Sequence, residues 1–313
     1  MATSSSISPS PPSLAIEITS RRVTVAQVGR SSGGFVVTAH RSEPLPANVV
    51  VPALTGVNIV EPAQVQGTLK RALDMVGLGS VRRAALVIPD SVARVTMVSF
   101  QQLPAKSDDL DQLIQWQLKK STPFPLEDAQ ITRVPAHSHE QDAGKTFAAV
   151  VARRDVIAQY ENITDSLGIH AGLVDLSSFN VMNAVMAAGA ASTGDWLVVC
   201  LAPEGATLAI LRGTELMFYR HRPAVDSEPL SALVHQTAMY HEDRLGGSRF
   251  NRVWLSGPTT DAVRREISER LGVPTEVVDV RPAVTLGDGA HAPETLDSLA
   301  ASVGVLLRER KAA

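Results

Sequence analysis

One local pattern occurs twice along this chain, and that constrains its fold more than anything else. Apolar and polar residues alternate over Leu14–Ile18, Arg22–Val28 and Phe35–Arg41, with breaks at Thr19-Ser20-Arg21 and between Gly29 and Gly34, which predicts a three-strand meander. A helix is predicted over Glu61–Leu78, with Pro62 in its first turn and Val65, Leu69, Leu73 and Val76 on one face. A strand over Ala84–Ile88 then stops at Pro89-Asp90. The same order returns later. Strands are predicted over Trp196–Ala202, Ala206–Leu211 and Glu215–Tyr219, with breaks at Pro203-Glu204-Gly205 and Arg212-Gly213-Thr214. A helix over Pro229–Arg244 and a strand over Arg252–Leu255, ended by Ser256-Gly257-Pro258, complete the second copy. Each half reads β-β-β-α-β, repeated in pattern and spacing with little residue identity. Such a chain is expected to fold as two similar α/β lobes.

Between the halves lies a segment with its own logic. Val92–Leu103 reads as a strand. Ser107 reads as the cap of a helix with Asp108 and Asp109 in its first turn, Leu110, Leu113, Ile114 and Leu118 on one face, and Lys119-Lys120 at its C-terminus. Ser121-Thr122-Pro123-Phe124-Pro125 stops that helix. Strands near Gln130–Pro135 and Thr146–Val151 flank a polar loop and complete a small α+β unit. A helix over Arg154–Leu167, a strand over Ile169–Val174 and a helix over Leu176–Ala188 lead back to the first lobe, and Pro293–Arg308 forms a final amphipathic helix. The expected division is a leader over 1–13, a first lobe over 14–90 plus 169–192, an insert over 91–168 and a second lobe over 193–313. The leader, MATSSSISPSPPS, carries no charge and too little apolar surface to offset ordering, so disorder is expected there. It lacks the basic and apolar regions of a secretory signal.

Composition removes several function classes. Lys and Arg number 29 against 32 Asp and Glu, so the basic footprint of a nucleic-acid partner is absent. Aromatics at 4% leave few platforms for stacked bases. The single cysteine, Cys200, excludes an internal disulfide framework and fits a reducing cytosol. The longest apolar runs, Leu197–Ala202 and Phe147–Ala152, fall far short of the roughly 20 residues a bilayer span needs, so no direct membrane insertion is expected. Neither a P-loop nor a G-x-S-x-G elbow is present. His137 and His139, followed by Glu140 and Asp142, sit in a polar loop without helical zinc spacing and read as solvated; no metal site is expected. His241-Glu242-Asp243-Arg244 reads as an exposed helix end, and Cys200 as a structural thiol in an apolar strand.

Two facing β-β-β-α-β halves are similar to the plan of the actin, hexokinase and heat-shock-70 superfamily, and an insert after the fourth strand resembles that of the cell-division protein FtsA. Within that group, Leu113-Ile114-Gln115-Trp116-Gln117-Leu118 followed by Ser121-Thr122-Pro123-Phe124-Pro125-Leu126-Glu127-Asp128 resembles the signature of the PilM family, actin-like proteins of type IV pilus inner-membrane assembly. Further pieces occur in the family's order: Phe147–Arg153, Leu167-Gly168-Ile169, Val174-Asp175-Leu176, Leu255-Ser256-Gly257 and Ala300–Arg308. The resemblance covers roughly residues 14–309, and the Pro-Phe-Pro-Leu-Glu motif with its upstream Trp is its most specific part. The implied fold is α/β and actin-like, with duplicated RNase H-like lobes and a small α+β insert subdomain of FtsA/PilM type.

Actin-like ATPases hold Mg-ATP between two hairpin turns, and PilM-like proteins carry an Asp-Ile-Gly-type motif at each. The acid positions metal or water, and the Gly lets the backbone approach phosphate. The resemblance assigns Glu17-Ile18-Thr19-Ser20 and Cys200-Leu201-Ala202-Pro203 to these turns, with Gly205 beyond the second and Gly257-Pro258 on the adenosine side. Both turns depart from the pattern. In the first, the acid is Glu17, one methylene longer, and Thr19 replaces Gly. In the second, Cys200 replaces the acid, Ala202 replaces Gly, and Pro203 removes a backbone N–H. The nucleotide-site residues, if the site is retained, are Glu17, Thr19, Ser20, Cys200, Ala202, Gly205 and Gly257. The departures imply a pseudo-ATPase with weak or absent nucleotide binding and no catalytic residues; Mg-ATP is the one cofactor in view. A reading of Glu17 and Ser20 as ordinary turn residues stays open.

The resemblance also implies a partner. PilM-like proteins take up the cytoplasmic N-terminal segment of PilN, a single-span membrane protein, in a groove between first lobe and insert. Trp116, Lys120, Phe124 and Leu126 are expected near it, although Trp116 by position reads first as a packing residue against the insert's sheet. The implied function is a scaffold at the cytoplasmic face of the inner membrane, held there by a PilN-like protein, with the assembly motor ATPase as a further partner. Three alternatives remain: an active actin-like ATPase or kinase, an FtsA-like divisome component, and a GspL-like secretion component. A kinase needs a catalytic Asp and intact phosphate loops. An FtsA-like protein would favour a membrane-binding tail where Leu296–Arg308 reads as a packing helix, and a GspL-like protein would continue past Ala313 into a membrane span.

Overall fold

A computed structural model describes residues 12–138, 144–189, 194–224, 229–287 and 293–308. The leader as far as residue 11, and His139, Glu140 and Asp142, lie outside the described residues.

The first sheet is built from β1 (Leu14–Ile18), β2 (Arg22–Ser31), β3 (Gly34–Pro44), β4 (Arg83–Ile88) and β8 (His170–Leu176), in the order β3-β2-β1-β4-β8. The first three strands form the antiparallel meander; β4 and β8 add in parallel. The second sheet repeats this with β9 (Asp195–Ala202), β10 (Gly205–Arg212), β11 (Glu215–Pro223), β12 (Arg252–Ser256) and β13 (Thr275–Val277), in the order β11-β10-β9-β12-β13. The duplication is therefore topological. It extends further than expected, because α6 (Asp261–Leu271) and β13 fall in a stretch whose sequence pattern assigns no element.

Each sheet is covered on both faces. On the outer face of the first, Leu14, Ile16 and Ile18 of β1 meet Val65, Leu69 and Leu73 of α1 (Pro62–Met75). Successive strand residues point to opposite faces, so Ala15, Ala26 and Ala85 look the other way. Their small side chains admit a helix, α7 (Pro293–Arg308), close to β1, β2 and β4. The tail helix, grouped with the second lobe by sequence, thus packs on the first sheet. It also packs along α4 (Ser177–Ala187), and the two helices share one apolar cluster with Trp196 and Val198 of β9. A Cβ on Gly304 of α7 would lie 1.8 Å from the Asn180 carbonyl oxygen of α4, so only glycine allows this approach. The outer face of the second sheet packs Leu197, Val199, Leu208 and Ile210 against Val234 of α5 (Leu230–Leu245) and Ile267 of α6.

The insert is a three-stranded antiparallel sheet of β5 (Ala93–Phe100), β6 (Ala129–Ser138) and β7 (Lys145–Arg153), ordered β5-β7-β6. Leu110, Ile114 and Leu118 of α2 (Ser107–Leu118) close one face over Val98, Phe147 and Val151. Two expectations are corrected here. Lys106, not Ser107, precedes the helix, and Ser107 Oγ instead accepts a 2.7 Å hydrogen bond from Arg133. Leu113 is exposed, because the buried stripe keeps strict i, i+4 spacing. The helix after the insert, α3 (Arg154–Asp165), sends Val156, Tyr160 and Ile163 into the first-lobe cluster, although sequence grouped residues 154–168 with the insert. Among the described residues no helix is long and apolar enough to cross a membrane.

Candidate nucleotide cleft and partner groove

The β1–β2 and β9–β10 turns meet across the gap between the lobes, as the actin-like plan requires, and together line one cavity. Glu17 does not sit in the turn but on β1, buried, where it accepts a 3.1 Å hydrogen bond from Ser177. Burial pushes its carboxyl above the usual range, and nearby Arg22 opposes this. Thr19 closes its own turn: its hydroxyl donates to the Arg22 carbonyl (3.1 Å) and accepts from the Arg21 and Arg22 N–H groups. A side chain thus satisfies two amides of the turn. Ser20 Oγ crosses the cleft and donates to Glu204 (2.9 Å).

The second turn is equally occupied. Cys200 faces the cavity; burial, with Asp90, Asp297 and Glu17 nearby, pushes its thiol well above the usual range, so it stays protonated. Ala202 pairs with Gly205 across the hairpin. The retained glycines serve the protein's own backbone. A Cβ on Gly205 would lie 2.2 Å from the Arg222 carbonyl oxygen, and one on Gly257, at φ +95°, 2.0 Å from that of Leu201. Thr19, Ala202 and these glycines therefore act as turn and packing residues.

Sequence reasoning missed the residues that join the lobes. Asp90, read only as a strand stop, accepts from the Ser178 N–H (3.0 Å) and hydroxyl (2.8 Å) through one oxygen and from Thr207 of β10 (2.7 Å) through the other. With its proton on Asp90, the Thr207 hydroxyl accepts from His221 Nδ1 at 2.9 Å. Burial lowers the His221 pKa, with Asp90 and Glu204 opposing. Arg22 of β2 pairs with Asp297 of α7 at 3.1 Å, and Asp297 accepts from the Gly257 N–H at 2.6 Å. No local motif could have found these contacts, because the partners of Asp90 and Arg22 lie 88 or more residues away, and even Thr207–His221 and Gly257–Asp297 are 14 and 40 residues apart.

These links leave a cavity of about 100 Å³. Small-molecule sites usually enclose about 300–1,000 Å³, so this cavity is smaller than a usual ligand site. Its walls carry Glu17, Asp90, Glu204 and Asp297 against Arg21 and Arg22, a balance unfavourable to a polyanion without a cation. Among the described residues no cluster of three or more His, Cys, Asp or Glu has a metal-binding arrangement.

Two histidines of interest have structural partners. His137 Nδ1 lies 2.9 Å from the Leu216 carbonyl, tying insert to second lobe. His241 is 1% exposed, which corrects its expected solvent position. It stacks on Phe250 and sits 2.5 Å from Asp195, which Arg212 also grips through two hydrogen bonds. The helical face carrying Leu233, Val234 and Thr237 simply extends one turn further than its polar residues suggest.

On the insert, Trp116, Phe124 and Leu126 line an open depression of about 910 Å³, floored by Ala129 and Ile131 and edged by Lys119 and Arg154. Trp116 is 64% exposed and so is not the packing residue that its position suggested. Lys120 lies just outside, its ammonium 5.6 Å from the Trp116 ring. Phe124 is the packing residue, buried in the α2 cluster with Arg153 over its ring. The Arg154 guanidinium donates to the Glu127 carbonyl (2.9 Å) and fixes the wall where α3 begins.

The sequence of the family "Type IV pilus assembly protein PilM" matches residues 15–225 of this chain. Among solved structures, a PilM-PilN type IV pilus biogenesis complex superposes with a TM-score of 0.77 at 17% identity, covering 96% of this chain and 99% of that one. The cytoplasmic domain of EpsL, an inner membrane component of the type II secretion system of Vibrio cholerae, superposes with a TM-score of 0.52 at 10% identity, covering 96% and 94%. The actin-like fold and the match over two thirds of the sequence agree, and the chain belongs to the PilM family of type IV pilus assembly proteins.

Proposed function

We propose that this chain is a type IV pilus assembly scaffold that holds an extended segment of a PilN-like membrane protein in the depression beside Trp116 and works without nucleotide turnover. The carrying observation is Trp116 itself: a 64% exposed indole on a helix whose opposite face is locked in the insert core. A large aromatic presented from a rigid element is the usual anchor of a recognition surface. Lys119, Lys120 and Arg154 around it favour a segment carrying acidic residues. In this reading the membrane is reached through the partner, and the assembly motor is a further partner.

The closed cleft supports the second half of the reading. Ser20–Glu204 and Asp90–Thr207 already bridge the two hairpin sides of the cleft, and Arg22 holds Asp297. Titrating the protein with a synthetic N-terminal peptide of a PilN-like protein should change Trp116 fluorescence, since Trp196 and Trp254 are buried. Saturable binding that Trp116→Ala removes is the expected result, and no binding by the parent protein would sink the proposal. Thermal unfolding with millimolar Mg-ATP tests the cleft. A ligand at 100 times its dissociation constant would stabilise by about 2.7 kcal/mol, and no rise is expected here.

A further inference from the structure

Beside the cleft, a second set of charges converges on an open pocket of about 470 Å³. Arg21 enters it from the β1–β2 turn, Arg22 from the start of β2, His40, Arg41 and Ser42 from β3, and Thr295 and Ser298 from α7. The strand register explains the meeting. Arg22 lies opposite Pro44, Thr24 opposite Ser42 and Ala26 opposite His40, so these residues share the face that α7 covers, whereas Arg41, opposite Val25 of the α1 face, lines the pocket from the edge strand β3.

The hydrogen bonding there is incomplete. Ser298 Oγ donates to the Thr295 carbonyl (2.9 Å) and therefore accepts from His40 Nε2–H at 3.0 Å, which leaves Nδ1 as the imidazole's basic position. Arg22 Nε is buried and has no hydrogen-bond partner among the described residues. Arg41 is paired with Glu43 and Arg22 with Asp297, while Arg21 has no ion-pair partner among the described residues. Three guanidiniums thus face two carboxylates, and the surplus is positive. His40 reports the same field: burial, then Arg22 and Arg41, lower its pKa to about 4.

We propose that this pocket binds a phosphate group, with Arg21 and Arg41 gripping it from the rim and Arg22 Nε and the Thr295 hydroxyl available inside, beside a Ser42 hydroxyl that shares a 3.1 Å hydrogen bond with Thr24. Guanidinium forks match phosphate oxygens in geometry and charge, and an orphaned buried donor calls for an acceptor. The site shares Arg21, in the β1–β2 turn, and Arg22 with the cleft, while His40, Arg41, Ser42, Thr295 and Ser298 line it alone. Occupancy would reach the cleft, because Arg22 also holds Asp297 and, through it, the Gly257 amide.

The test titrates the full chain with inorganic pyrophosphate at constant ionic strength, following the His40 imidazole by NMR. Saturable binding with an upward shift of the His40 pKa is expected. Affinity should fall about tenfold or more in Arg41→Gln and in Arg21→Gln, the loss of one charge-assisted hydrogen bond, and stay unchanged in Arg264→Gln on distant α6. Vesicles of phosphatidylglycerol, against phosphatidylcholine, separate the sources. Pyrophosphate binding without vesicle binding means a soluble phosphate ligand; vesicle binding that Arg41→Gln removes means a lipid headgroup. A pyrophosphate response no larger than that of chloride, or one that survives both substitutions, with no Arg41-dependent vesicle binding, overturns the proposal. Mg-ATP run in parallel keeps the two readings apart, since stabilisation insensitive to Arg41→Gln would belong to the cleft.

Discussion

The Thr207 hydroxyl in one lobe donates a 2.7 Å hydrogen bond to Oδ2 of Asp90 in the other. Thr207→Val keeps the side-chain shape and deletes that donor. It leaves a carboxylate oxygen and the His221 Nδ1–H without their partner in a nearly closed cavity, a loss of about 1–3 kcal/mol. Ser20→Ala removes the more exposed bond to Glu204 and should lose about 1 kcal/mol or less. Thermal midpoints measured side by side should fall in that order. The reverse order would show that the buried network does not hold the lobes.

Glu17 predicts a pH dependence of opposite sign to most carboxylates. Its folded-state pKa is raised by burial, so the folded protein favours the protonated acid. The stability linked to this group is fully present below its unfolded value, near 4.5, and is lost as pH rises through the folded value. Glu17→Gln keeps an acceptor for Ser177 and removes the ionisation. The variant should be more stable than the parent at neutral pH, with the gap closing as pH falls below 4.5. A constant gap across that range would mean that Glu17 ionises in the folded state without penalty.

Trp116 and Phe124, eight positions apart and both part of one motif, should behave in opposite ways. Trp116→Ala removes an exposed ring and should move stability by no more than about 0.5 kcal/mol. Phe124→Ala opens a cavity among Leu118, Ala129 and Val151 and should destabilise by about 3–5 kcal/mol. Denaturant titration of both variants checks this. A large loss in Trp116→Ala would return the indole to a packing role and remove the main support for the groove.

The two repeated halves were legible because hydrophobic period and turn residues are local signals, and β1 through β4 fall within a few residues of their expected ranges. The insert was legible for the same reason. Less local features were not. The position of α7 on the first sheet depends on Ala15, Ala26 and Ala85, which no period marks as a helix seat. The short β13 and the polar α6 carry too little apolar pattern to stand out. In the site, the departures at Thr19, Cys200 and Ala202 from the family pattern could be read from the sequence, but the contacts made around them could not. Asp90, Thr207 and Asp297 acquire their roles only through partners that the fold brings to them.

Gly304 tests whether the α4–α7 contact organises the molecule. The ideal Cβ of Gly304→Ala would lie 1.8 Å from Asn180 O and 2.6 Å from its carbonyl carbon, both backbone atoms that no rotamer change can move. Relief therefore requires the helices to separate, and that opens the cluster joining Ala15, Val87, Trp196 and Val198. Overpacking usually costs about 1–3 kcal/mol, and a clash against backbone belongs at or above the top of that range. The comparison is Gly67→Ala in α1, where the new methyl meets only the flexible end of Arg71 at 3.8 Å. Glycine in a helix interior is disfavoured by about 0.5–1 kcal/mol relative to alanine, so that variant should be stabilised. Opposite signs in denaturant midpoint are the expected outcome. A neutral Gly304→Ala would mean that α7 can ride up on α4 without disturbing the central core.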